Sequence, residues 1–171
     1  MSDSPIKLGP EIRVSTTEYS YMNSSRTIGL SGGGYVVLWG ASLPGYVPGY
    51  FMQSYVTDVL GQRFDAAGNK VGGEFMVDQD ARYACDLGAG IATSDGGFLA
   101  VYYSYAPSVS VYGSEIIISK FDANGNRVGS ESRVNISTDY SQERPHIAAL
   151  DGGGYVVVWE SREGGSYEPY D

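Results

Sequence analysis

The sequence predicts an all-β protein of β-propeller-like four-stranded blades in tandem. Three observations predict it. A glycine turn running into an apolar strand occurs three times, a polar Asp-Gly-Asn hairpin occurs twice, and both recur at shared offsets of 63 or 57 residues. Several anchors on two common offsets are poorly explained by chance.

The first anchor is Gly32-Gly33-Gly34-Tyr35-Val36-Val37-Leu38-Trp39. It returns as Asp95-Gly96-Gly97-Phe98-Leu99-Ala100-Val101-Tyr102 and as Gly152-Gly153-Gly154-Tyr155-Val156-Val157-Val158-Trp159. The second is Phe64-Asp65-Ala66-Ala67-Gly68-Asn69, repeated as Phe121-Asp122-Ala123-Asn124-Gly125-Asn126. The third, Gly72-Gly73-Glu74-Phe75-Met76-Val77, matches Gly129-Ser130-Glu131-Ser132-Arg133-Val134, and the N-terminal Gly9-Pro10-Glu11-Ile12-Arg13-Val14 is a further copy.

Each unit reads as four strands. Strand A is expected at Thr27–Leu30, Gly90–Thr93 and Pro145–Leu150. The glycine turn leads to strand B, which is β-branched and aromatic on both faces and so is expected to be buried on both. A long loop leads to strand C (Val56–Phe64, Glu115–Phe121). The Asp-Gly-Asn turn leads to strand D (Val71–Val77, Val128–Asn135), because Gly tolerates positive φ and Asp bonds its own backbone there.

The chain is thus phased D-ABCD-ABCD-AB, about 2.75 blades. We read residues 1–171 as a single repeat domain with units at roughly 1–20 (partial), 21–80, 81–137 and 138–171 (partial). The last unit shows no clear strand C unless Tyr167–Tyr170 forms one. The N-terminal strand D could complete the last unit's sheet. Exposed strand edges invite pairing, so assembly is expected: two chains making a six-bladed ring, or an open filament, with a fragment of a longer array as the third reading.

Composition narrows the function. At 42% apolar and 18% charged residues the chain is too apolar to be disordered, and 24 glycines argue against a helical bundle. A net charge of −9 disfavours nucleic acid and anionic membranes. No apolar run is long enough to span a bilayer as a helix, and Met1–Pro10 has no signal-peptide h-region. A single thiol, Cys85, forms no intramolecular disulfide and reads as a small buried apolar residue.

The segment Phe121–Gly129, with Gln142-Glu143-Arg144-Pro145-His146-Ile147-Ala148-Ala149-Leu150 running into Asp151–Ser161, resembles repeats of large secreted bacterial proteins that often accompany RTX (hemolysin-type) segments. The resemblance covers nearly the whole chain and is closest over 121–161. It implies an extracellular or cell-surface location, blade-like β units, and roles in adhesion or surface structure. It implies no enzymatic activity. The calcium-binding Gly-Gly-x-Gly-x-Asp nonapeptide is absent, so calcium does not transfer from it.

Candidate binding residues sit in the B–C loops, which differ between units while the strands do not. They are Tyr46, Tyr50 and Phe51 in the first, Tyr103, Tyr105 and Tyr112 in the second, and Tyr167 and Tyr170 in the third. Tyr offers a flat apolar face and a polar tip, which suits protein interfaces and sugar rings alike. Asp122, Asn124 and Asn126 alternate oxygens like half a calcium loop, but the twelfth-position acid is missing and the sister turn has Ala67, so a hairpin explains them as well. Trp39 and Trp159 read as inter-blade packing, and Asp95 and Asp151 as turn caps. Asn23-Ser24-Ser25 and Asn135-Ile136-Ser137 are formal sequons, read as chance. No catalytic motif is present. The expected function is therefore a non-enzymatic extracellular, self-assembling structural protein with itself as partner and no cofactor. A lectin-like, glycan-binding adhesin module is the alternative, and a glycan-acting enzyme comes last.

Overall fold

In a computed structural model, residues 9–19, 21–42, 57–79, 85–105, 113–138 and 141–162 are described. They form ten strands and no helix, in three antiparallel sheets. The first sheet is β1 (Tyr21–Gly29), β2 (Tyr35–Ser42), β3 (Thr57–Phe64) and β4 (Lys70–Met76), in that spatial order. The second repeats it with β5 (Cys85–Ala92), β6 (Phe98–Ser104), β7 (Glu115–Phe121) and β8 (Ser132–Arg133). The third has β9 (Ser141–Ala149) and β10 (Tyr155–Arg162).

The repeated glycines produce superimposable turns. In the three A–B hairpins, Leu30, Thr93 and Leu150 each bond the backbone four residues on. Gly33, Gly96 and Gly153 sit at φ near +90° (86°, 87° and 97°), a backbone conformation that residues with a Cβ rarely adopt. In the C–D hairpins the Asp carboxylate organises the loop. Asp65 Oδ1 accepts from the N–H groups of Ala67 and Asn69 at 2.9 and 2.8 Å, and Asp122 Oδ1 accepts from Asn124 and Asn126 at 2.8 Å each.

Identical turns impose identical A–B registers, with Gly29 opposite Tyr35, Ala92 opposite Phe98 and Ala149 opposite Tyr155, and the B–C register repeats as well although the B–C connections differ in sequence. Tyr35 faces Phe64 across β2–β3 and the rings stack at 4.8 Å; Phe98 faces Phe121 across β6–β7 and stacks at 4.7 Å. After strand D, Asp78 Oδ1 accepts the N–H of Val59 at 2.9 Å, and Asn135 Oδ1 accepts that of Ile116 at 2.8 Å. β5 packs against both β1 and β9, so the three A strands lie side by side. The main core joins the first two sheets through Val36, Leu38, Val77, Phe98, Tyr102 and Phe121.

Four expectations change. The A strands begin four to six residues before the predicted starts. A register break near Ser24-Ser25, Gly88 and Arg144-Pro145, beside Trp39, Tyr102 and Trp159 respectively, interrupts the alternation that pattern reading relies on. Strand D of the second unit shrinks to Ser132–Arg133 plus a bridge at Arg127. The N-terminal copy, Gly9–Val14, is not a strand: among the described residues no strand pairs with it. Strand B is buried on both faces in β6 and largely so in β2, but not in β10. The segment Tyr167–Tyr170 lies outside the described residues.

Candidate functional site

The same strand-B motif meets two different environments. Leu38 in β2 is 0% exposed, whereas its counterpart Val158 in β10 is 57% exposed. Trp39 is 2% exposed and Trp159 is 37% exposed. Tyr155 and Val156 are also open. In the first two sheets a C strand pairs with strand B. Among the described residues nothing pairs with the outer edge of β10. An edge strand with alternating apolar side chains exposed on both faces is a pairing surface.

The interface between the first and second sheets shows how neighbouring sheets of this repeat pack on one another. Phe75 of β4 reaches across to Phe98 and Phe121, with ring centroids 6.2 and 5.6 Å away. Arg63 donates to the carbonyls of Asn124 (2.6 Å) and Ala123 (2.5 Å), holding the next sheet's C–D turn. Arg127 lies 5.1 Å from the Phe121 ring and donates to the Val77 carbonyl at 2.5 Å. Between the second and third sheets the Phe75 position is Ser132. A cavity of about 570 Å³ lies there, lined by Ile91, Leu99, Ile118, Ser132, Leu150 and Tyr155.

A carboxylate clamp joins neighbouring repeats. The Glu131 carboxylate accepts the backbone N–H of Gln79 at 3.1 Å and the hydroxyl of Tyr102 at 2.5 Å. One repeat earlier, Glu74 accepts the backbone N–H of Thr16 and, at 3.1 and 2.8 Å, the hydroxyls of Thr17 and Tyr19. Burial pushes the Glu74 carboxyl up, but the Thr16 N–H and Tyr19 hydroxyl outweigh it and hold its pKa below the ordinary glutamate value. Val14 and Tyr19 pack on the Trp39–Leu60 cluster. Residues 14–19 therefore lie against the first sheet as residues 77–79 lie against the second. These glutamates were visible in the repeated motif, but their role was not, because the backbone donors, Thr16 and Gln79, come from the neighbouring unit.

Where the three A strands meet, a cleft of about 420 Å³ includes Tyr21, Asn23, Asp86, Tyr103, Arg144 and His146 in its lining. Asp86 accepts from Asn23 Nδ2 at 2.9 Å and from the Tyr103 hydroxyl at 3.0 Å. Burial first, then the charge of Asp86, raises the Tyr103 pKa. Tyr105 stands edge-on to Tyr103, centroids 5.7 Å apart. Ser24 (φ 45°) and Arg144 (φ 52°), both in the lining, adopt left-handed backbone that ordinary side chains rarely take. Of the eight aromatic candidates, Tyr103 and Tyr105 are among the described residues, and they are brought together. Tyr46, Tyr50, Phe51, Tyr112, Tyr167 and Tyr170 lie outside the described residues.

The remaining candidates have local roles. Both Asp122 oxygens are engaged within their own turn, Oδ2 accepting from Asn126 Nδ2 at 3.1 Å, while Arg63 covers the Asn124 carbonyl. Asp95 accepts from Thr93 Oγ1 and Lys120 Nζ, and chiefly through Lys120 its carboxyl stays well below the usual range. Cys85 is buried, and burial raises its thiol pKa. Among the described residues, no three His, Cys, Asp or Glu side chains form a group able to hold a metal, and no helix is long and apolar enough to cross a membrane.

Sequence reasoning missed an acidic pair. Asp58 and Asp78 are both buried, each with one carboxylate oxygen lacking a hydrogen bond. Burial first, then the charge of Asp78, pushes Asp58 up to about 6, and burial also raises Asp78. The second unit solves the same position differently: Glu115 pairs with Arg133 at 2.9 Å and Asn135 replaces the second acid. Met76 stands where Arg133 stands.

Comparison with protein-family models, with curated proteins and with solved structures gave no match for this chain.

Proposed function

We propose that this chain is a non-enzymatic, self-assembling repeat protein whose three sheets are propeller-like blades, and that a second copy covers β10. The observation that carries the reading is the exposure of Val158 and Trp159 in β10, against the burial of Leu38 and Trp39 in the same motif of β2. The occupant follows from the repeat. Gly9–Val14 is a copy of strand D, it forms no strand in its own chain, and residues just after it already dock on the first sheet as Val77–Gln79 dock on the second. A second copy's Gly9–Val14 is thus suited to the D position of the third blade, outside a C strand laid on the edge of β10 as β3 is laid on β2. Two chains joined in this way reciprocally give a six-bladed ring; joined in one direction they give a filament. The resemblance to secreted bacterial repeats supports an extracellular or cell-surface setting.

Deleting Met1–Thr16 tests this. Light scattering should show loss of the assembled species, with far-UV circular dichroism confirming that β structure remains. Unchanged assembly after the deletion contradicts the proposal.

One observation favours a second reading, glycan binding. The A-strand cleft combines Tyr21 and Tyr103 with the hydroxyl acceptor Asp86, the cations Arg144 and Arg26, and strained backbone at Ser24 and Arg144. A glycan array, run with and without calcium, tests it. Signal lost on Asp86→Ala supports the reading, and no signal in either condition counts against it.

A further inference from the structure

The clamp between repeats occurs twice in the chain with one polarity. The residue two positions after the last valine of a D segment donates its backbone N–H, and the glutamate of the next D segment accepts it. Thr16 donates to Glu74, and Gln79 donates to Glu131. Thr16, Gln79 and Ile136 are equivalent, at the same offsets that relate Glu11, Glu74 and Glu131. Residues 1–171 carry three donors and three acceptors of the series, and two of the pairs form among the described residues. Ile136, 95% exposed, and Glu11, also exposed, belong to neither pair.

We infer that the third clamp closes between chains, with Glu11 of one copy accepting the backbone N–H of Ile136 of the next. This rests on the assembly reading above and deepens it by fixing the register of the joint. The first two clamps fix the direction: donor in the earlier repeat, acceptor in the later. If Gly9–Val14 of a second copy serves as strand D of the third sheet, its Glu11 stands to Ile136 as Glu131 stands to Gln79. Thr16 of that second copy keeps its own bond to Glu74, so the two contacts do not compete. Glu18, the other acid of residues 9–19, has no counterpart role in the clamp series.

A charge-assisted hydrogen bond from a backbone amide to a carboxylate stabilises enough to change a dissociation constant about tenfold when the acceptor is removed. The experiment is sedimentation velocity across a concentration series on the full chain and on its Glu11→Ala and Glu18→Ala variants, each checked by circular dichroism. The inference predicts that the full chain assembles, that Glu11→Ala raises the dissociation constant about tenfold, and that Glu18→Ala leaves it unchanged. If the full chain assembles and the two variants behave alike, this register is wrong while assembly stands. If the full chain stays monomeric at every concentration, the assembly reading fails and the inter-chain clamp with it.

Discussion

Phe75 lies directly over Gly61. A Cβ built on Gly61 would come within 2.5 Å of the Phe75 ring, so the ring crosses β3 only because that position has no side chain. The next sheet places Ile118 opposite Ser132 at the same two positions. The bulk has moved across the strand pair: small–large in one repeat, large–small in the next. Phe75 reaches Phe98 and Phe121, whereas Ser132 reaches nothing comparable and borders the cavity beside β9–β10. We expect Phe75→Ala to cost about 3 kcal/mol and Gly61→Ile alone to be at least as damaging through overpacking. The exchange Gly61→Ile with Phe75→Ser should cost less than the sum of its singles in urea denaturation, because the pair couples across the strands. Simple additivity would show that the two positions do not share a space.

Val158, Leu38 and Val101 occupy one position in three repeats, and only Val158 is exposed. Lysine at Leu38 or Val101 places an unpaired charge in a core and should prevent folding. Val158→Lys should leave thermal unfolding of the isolated chain within about 0.5 kcal/mol of wild type while suppressing assembly. Equal damage at all three positions would mean that β10 is already covered within the chain.

Asp58 and Asp78 should give the protein an unusual pH profile. For Asp58 the folded pKa is raised from 3.8 to about 6, so the folded state holds its proton more tightly than the unfolded chain. Its penalty is absent below the unfolded pKa, grows as pH rises, and is complete above about 6. Stability should therefore fall by on the order of 2 kcal/mol between pH 4 and pH 6 from this group. Asp78→Asn, which installs the residue found at Asn135, keeps an acceptor for the Val59 N–H and should raise stability at pH 7 and flatten that fall. Denaturant midpoints across pH check it. A variant that is less stable than wild type at pH 7 would contradict this account of the pair.

Arg63 ties the first sheet to the second through two carbonyls of one turn. Arg63→Ala should cost about 1–2 kcal/mol, and Arg63→Lys should recover only part, since one ammonium cannot reproduce the fork. Hydrogen exchange should quicken in the 122–126 turn. Unaltered exchange there would show that the contact does not hold the turn.

The strands, both hairpin types and the pairing order were legible in the sequence because glycine and aspartate at fixed offsets dictate turns, and turns dictate register. Three things were not. The A strands extend past breaks near Ser24-Ser25, Gly88 and Arg144-Pro145, where alternation no longer tells inside from outside. Gly9–Val14 has the composition of strand D but no partner strand among the described residues, and a strand needs a partner as well as a pattern. The clamp at Glu74 and Glu131 depends on donors some 50 to 60 residues earlier in the chain, which no local motif displays.

Assembly as proposed requires a second copy of the chain over β10. Multi-angle light scattering during size exclusion, over a hundredfold range of concentration, tests it most directly. A species of at least twice the chain mass is expected, lost in Val158→Lys. A strict monomer for the wild-type chain throughout that range would contradict it.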